Sequence, residues 1–149
     1  KVNIIRTSWL MSPYGKNFAL TIIKKLREVK ELKIISDQVG SPTTTSILAK
    51  ACWQTIVLKS KGYEIPEIMH CTNSGVASWY NIASALEEIA RELNLIKNQV
   101  NILPIKSEEY PTLAKRPFYS VLDYSYSLQR LSIKPIKWRN AILNLLNEL

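Results

Sequence analysis

Glycine, histidine and cysteine are scarce in this sequence: of 149 residues, four are glycine, one is histidine and two are cysteine. Gly15, Gly40, Gly62 and Gly75 stand singly. They cannot form a GxxGxxG turn, in which clustered glycines let backbone amides approach a pyrophosphate at a helix N-terminus. Cys52 and Cys71 lie in apolar patterns without a CxxC spacing, so the expectation is two reduced, buried thiols, with no disulfide and no metal site. The lone His70 falls inside the strand-like EIMHCT, where packing accounts for it. No apolar run approaches the roughly 20 residues of a membrane-spanning helix. The N-terminus lacks the successive charged, apolar and small-residue zones of a signal peptide. A cytoplasmic chain with no membrane partner is expected.

What is present suits a folded domain. A hydrophobic share of 46% and a charged share of 21% are those of a globular chain. A chain of this length buries a core without disulfide support. Twenty basic and twelve acidic residues leave a net charge of +8. Lys16, Lys24, Lys25, Arg27, Lys30 and Lys33 gather around one helical segment. There is no RNP-like motif, zinc-finger spacing or basic region joined to heptads, so nucleic acid is not the expected partner. A basic module that binds polyanions of any sequence is the weaker reading of the charge. A small ligand bearing phosphate fits it equally well.

Along the chain, Val2 to Leu10 is rich in β-branched and aromatic residues and predicts a buried strand that stops at Ser12-Pro13. Phe18, Ile22, Ile23, Leu26 and Val29 then mark one face of an amphipathic helix, which Asn17 is placed to cap. Leu32 to Ser36 predicts a short strand. DQVGSPTTT follows as a turn whose proline suits the first turn of a helix. That helix, Thr43 to Leu58, is expected to bury Ile47, Leu48, Ala51, Cys52 and Ile56. Glu67 to Thr72 is a strand, and Ser78 caps a helix bearing Ile82, Leu86, Ile89, Ala90 and Leu93. Val100 to Ile105 is a fourth strand, Lys106 to Pro117 is irregular, and Tyr124 to Leu131 is a short helix. Trp138, Ile142, Leu145, Leu146 and Leu149 form the stripe of the last one. Alternating strands and amphipathic helices give an α/β chain. Four short strands make a narrow sheet for so many helices, and Val2 to Leu10 is apolar enough to want neighbours on both sides.

Five motifs occur in order along the whole chain: RTSWLMSPYGKNF, DQVGSPT, TNSGVASWYNIA, YPTLAKRPFYSVLD and KWRNAI. Together they resemble the C-terminal half of the dTDP-4-dehydrorhamnose reductase family, a branch of the extended short-chain dehydrogenase/reductases. The resemblance implies an α/β fold made of the last strands of an NAD(P)-binding Rossmann-like domain (about 1–31 and 67–95). These interleave with a small α/β substrate-binding lobe (about 32–66 and 96–149), while the N-terminal cofactor-binding half is absent. It also implies NADPH or NADH as cofactor of the complete family enzyme, with none bound by this chain alone. The substrate would be a dTDP-sugar or similar nucleotide-sugar, reduced at its 4-keto group on the way to dTDP-rhamnose.

The family handles its proton with a tyrosine and a lysine four residues later. None of the seven tyrosines here has that lysine; Tyr126 has Arg130 instead. No catalytic residue is therefore assigned, and the chain alone is expected to be inactive. The resemblance assigns substrate contact to Trp9, Asn17, Gln38, Pro42, Thr43, Lys115 and Arg116, and cofactor contact to Ser12, Pro13 and Gly15. Arg116 leads this set, because a guanidinium matches phosphate oxygens with a fork of donors. Trp79 and Trp138, at helix starts with apolar stripes behind them, are assigned to the core. The alternative is a non-catalytic regulatory or binding protein, resembling the beta subunit of methionine adenosyltransferase. If the first strand lacks sheet neighbours, its edge invites self-association through Val2 to Leu10.

Overall fold

In the computed structural model, residues 2–110, 112, 114 and 116–149 are described. The first apolar run does not form one strand. It breaks into β1 (Ile4–Arg6) and β2 (Leu10–Met11), because Trp9 between them takes a left-handed conformation with φ 46°. After α1 (Phe18–Leu26) come β3 (Glu31–Ile35), β4 (Val39–Gly40) and β5 (Thr43–Thr44), then α2 (Thr45–Ser60). Next are β6 (Ile68–His70), β7 (Ala77–Ser78), α3 (Trp79–Glu92) and β8 (Asn101–Ile105). A 3-10 turn at Ser107–Glu109, β9 (Tyr119–Ser120), α4 (Ser125–Arg130) and α5 (Trp138–Leu146) complete the described chain. The α/β class holds, but several pieces of the sheet structure are only two residues long and carry no periodic signal.

Pairing joins distant segments. β1 runs parallel to β6 with Ile5 opposite Met69, and β3 runs parallel to β8 over five residue pairs, from Glu31–Asn101 to Ile35–Ile105. β2 pairs parallel with β5. β4 lies between β7, antiparallel, and β9, parallel. The larger core forms where α1, α3 and α5 meet, around Ile22, Leu26, Ile82, Leu86, Ile142 and Leu146. A smaller one joins α2 and α4 to β6 through Ile47, Ala51, Met69, Cys71, Leu128 and Leu131. Burying each large aliphatic side chain contributes about 1.5–3 kcal/mol, so these clusters outweigh the helix caps, which contribute about 1 kcal/mol each.

The caps are nonetheless where the sequence places them. The Asn17 side chain accepts from Leu20 N at the start of α1. Ser78 and Asn81 form a reciprocal capping box at α3. In α2 the outcome differs from expectation. Ile47 and Ala51 are buried, joined by Thr55, while Ile56 is 59% exposed and Cys52 lies on the surface. Apolar residues occupy both faces of this helix, so periodicity does not select the inner one. Pro42 sits between β4 and β5, ahead of α2 rather than in its first turn. Leu149 lies beyond α5 and is exposed.

Candidate functional site

α1 and β3 diverge beside the N-terminus of α3, and a cavity of about 380 Å³ opens between them. Its walls are apolar: Phe18 and Ile22 from α1, Leu32 and Ile34 from β3, and Trp79 at the first position of α3. The amphipathic pattern of α1 explains this placement. Its buried face serves the core through Ile22, Ile23 and Leu26, and Phe18 and Ile22 also line the cavity. Lys25, Lys33 and Arg116 supply positive charge at the rim, and the described lining residues include no carboxylate. Tyr110, Thr112 and Arg116, which follow the 3-10 turn in the chain, line one side. Arg116 has no ion-pair partner among the described residues.

Trp79 is the centre of this wall. Trp9 stacks on it with ring centroids 3.7 Å apart and planes 12° from parallel, and Phe18 packs against it at 4.5 Å, tilted by 51°. Its indole N–H donates to Gln38 Oε1 at 3.3 Å. Gln38 Nε2 in turn donates to Ser107 Oγ at 3.0 Å, and the Ser107 hydroxyl donates to Asp37 Oδ1 at 2.6 Å. Ser107 N also donates to both carboxylate oxygens of Asp37. These bonds from Ser107 hold the Asp37 carboxyl below its ordinary value of 3.8, the side-chain bond contributing most. The relay runs in one direction because its ends are unambiguous: an indole N–H only donates and a carboxylate only accepts.

The residues expected at the site are not all brought together. Gln38 and Arg116 line the cavity. Trp9 reaches it through its stack on Trp79. Asn17 is committed to the cap of α1, and its Nδ2 donates to Ser12 O at 2.9 Å. Pro42 and Thr43 are fully buried, so the surface they could offer a ligand is closed. Lys115 lies outside the described residues. Ser12, Pro13 and Gly15 share the loop after β2, where Ser12 Oγ accepts from Tyr14 N at 3.1 Å and Gly15 takes φ 76°. Trp79 was assigned to the core. The available signal was its place one residue after the Ser78 cap, at a helix start, where a side chain stands at the edge of a packed layer.

Comparison with known proteins follows the same lines. The profile of the RmlD substrate binding domain matches residues 1–149. A spore coat polysaccharide biosynthesis protein, SpsK, of Bacillus subtilis is 40% identical over 145 residues, 97% of this chain and 47% of that protein. The crystal structure of a dTDP-4-dehydrorhamnose reductase from Clostridium acetobutylicum superposes with TM-score 0.82 at 33% identity, covering 98% of this chain and 48% of that one. That of Bacillus anthracis, in complex with NADP, gives 0.78 at 29% identity, with 97% and 47% covered. The chain thus spans about half the length of the relatives it matches.

Proposed function

The chain belongs to the RmlD substrate-binding domain family, and from that premise we propose that it binds a nucleotide-sugar such as a dTDP-sugar in the cavity beside Trp79. In this reading it is the substrate-binding portion of an NAD(P)H-dependent reductase of the dTDP-4-dehydrorhamnose type, working in the cytoplasm. The observation that carries the proposal is the cavity itself: an aromatic and aliphatic slot with Lys25, Lys33 and Arg116 at its rim. A flat base fills such a slot, and a pyrophosphate lies at a cationic rim. Trp9 and Gln38 support the site from its stacked wall and its polar corner. The division into Rossmann-type segments and a substrate lobe is part of the same reading.

The described residues do not suit the pyrophosphate of a nicotinamide dinucleotide. The glycines stand singly, so no cluster of glycine amides is there to approach it. Ser12, Pro13 and Gly15 could at most border such a cofactor, whose hydride the complete enzyme would use. With no tyrosine–lysine pair of the family spacing, this chain alone carries out no reduction. Among the described residues no second strand pairs with β1 beside β6, which makes self-association of the isolated chain part of the proposal.

Calorimetric titration of the chain with dTDP tests it. Saturable binding is expected, weakened about tenfold by Arg116→Ala through loss of a charge-assisted bond and weakened further by added salt. Absence of binding, or an unchanged affinity in the variant, would overturn the site. Oxidation of NADPH by this chain with a 4-keto nucleotide-sugar would overturn the inactivity.

A further inference from the structure

We propose that Asp37 is a positioning residue for the cavity: through Ser107 it fixes the point from which Tyr110 is delivered to the ligand, while touching no ligand itself. This inference rests on the nucleotide-sugar reading and deepens it by naming what sets one wall of that site. It starts from where the chain leaves the sheet and where it returns. β8 ends at Ile105, whose carbonyl accepts from Ser36 N at 2.9 Å and from Ser36 Oγ at 3.1 Å. Ser107 is gripped next. Its N–H donates to both carboxylate oxygens of Asp37 at 3.1 Å, and its hydroxyl donates to Oδ1 at 2.6 Å. The chain then turns away through the 3-10 turn Ser107–Glu109. It comes back at Phe118, whose carbonyl accepts from Val39 N at 2.8 Å, just before Tyr119 pairs with Val39 and Ser120 with Gly40. The two feet of this excursion thus stand on Asp37 and Val39, with the cavity-lining Gln38 between them.

The two feet hold different residues. Tyr110 follows the first foot directly, and its N–H donates to Ser107 O at 3.1 Å. Arg116 stands just before the second foot in the chain. Both line the cavity, and Asp37 does not. Tyr110 is 57% exposed, and its side chain makes no hydrogen bond among the described residues, so its place is set through its backbone. Bonds to a carboxylate are charge-assisted and about twice as strong as neutral ones, which makes the Asp37 grip the firm part of the first foot. Lys106 N donates to Glu109 Oε1 at 2.7 Å and closes the turn on itself. Loss of the grip therefore shifts the turn rather than unravelling it: the first foot withdraws to Ile105, and Tyr110 must be ordered anew each time a ligand binds.

The test is a double-mutant cycle read by dTDP affinity. Asp37→Asn is expected to weaken binding by about threefold to tenfold, the scale of ordering one or two side chains on association. Ser107→Ala should act in the same direction, while Ser107→Thr, which retains the hydroxyl, should keep the affinity. Tyr110→Ala is expected to weaken binding at least as much as Asp37→Asn. In the Tyr110→Ala background, Asp37→Asn should change the affinity by less than about twofold, because the residue it positions is gone; in the Arg116→Ala background it should keep its full factor. A merely structural role would weaken binding alike in both backgrounds. Hydrogen exchange in the ligand-free chain reads the cause: Asp37→Asn should speed exchange at the Ser107–Tyr110 amides and leave β3 and β8 unchanged. Faster exchange throughout β3 and β8 passes the cycle to Ser107→Ala, which keeps the carboxylate. Unchanged dTDP affinity in both Asp37→Asn and Ser107→Ala, or equal factors in the two backgrounds, overturns the role of Asp37 and leaves the nucleotide site standing. Failure of the unmodified chain to bind dTDP overturns the nucleotide site, and this inference with it.

Discussion

The Trp9 indole lies between Trp79 and Gly40. It stacks on the first at a centroid distance of 3.7 Å, and it comes so close to the second that a Cβ there would sit 2.6 Å from Trp9 Cε2 and 2.8 Å from Cζ2. Gly40 is thus required for the room it leaves. Trp9 itself holds φ 46°, an uncommon conformation for a bulky residue, in a seat fixed by its contacts with Trp79 and Gly40.

Gly40→Ala is therefore expected to lower stability by about 1–3 kcal/mol, the usual cost of overpacking, and to displace Trp9 from the stack. Urea denaturation gives the first quantity, and a shift of tryptophan emission in the folded state reports the second. Unchanged stability and emission would show that the indole moves aside freely.

The Asp37–Ser107 contact sets a pH dependence. A carboxyl whose folded pKa lies below its unfolded value stabilises the fold fully above the unfolded value, here 3.8, and the contribution disappears as pH falls through the lower folded value. Asp123 behaves alike, held down by the Ser125 side chain and backbone. Denaturation midpoints followed from about pH 6 to pH 3 should fall less steeply in Asp37→Asn than in the unmodified protein. Parallel curves for the two would count against the contact.

The two thiols should separate kinetically. Burial pushes Cys71 up to about 11, with the nearby Cys52 adding to the rise, whereas Cys52 is exposed. The thiolate is the reactive form, so a disulfide reagent at neutral pH should consume one thiol quickly and the second only after denaturant is added. Rapid reaction of both in the folded protein would contradict the placement of Cys71.

β1 pairs with β6 on one side, and no described strand pairs with its other edge. Ile4 and its register partner Ile68 are 47% and 48% exposed, although parallel strands are ordinarily covered on both faces. Sedimentation is expected to show concentration-dependent self-association of the isolated chain, reduced by Ile4→Lys, since a charge blunts an open edge. A single monomeric species at high concentration would remove the edge from consideration.

Several of these features were legible in the sequence because a local chemical rule sets them. Asn17 and Ser78 announce helix starts through cap chemistry, and α1 and α3 announce their buried faces through spacing. Arg116 was singled out through the family resemblance and not by a local rule, and it lines the cavity. Other features depend on tertiary contact. The turn at Trp9 interrupts a run whose composition is uniformly strand-like, and only the ring's seat between Gly40 and Trp79 accounts for it. The inner face of α2 is chosen by Met69 and Cys71 across the smaller core, since Cys52 and Ile56 are apolar too. Two-residue strands such as β4 and β9 are too short for any pattern. Trp79 could serve core and cavity at once, and the sequence carried only its first role.

The pairing of β3 with β8 joins residues seventy positions apart, as Glu31 opposite Asn101 shows, and β1 meets β6 across a comparable gap. Each union must close a long loop before any contact compensates for the lost chain entropy. Slow folding, on the order of milliseconds to seconds, is the kinetic result for so non-local a contact map. The order of assembly also matters for the cavity, since β3 lacks its hydrogen-bonded neighbour until Asn101–Ile105 has been made. The β3 wall of the cavity is then completed only after the residues between Ile35 and Asn101 have been made.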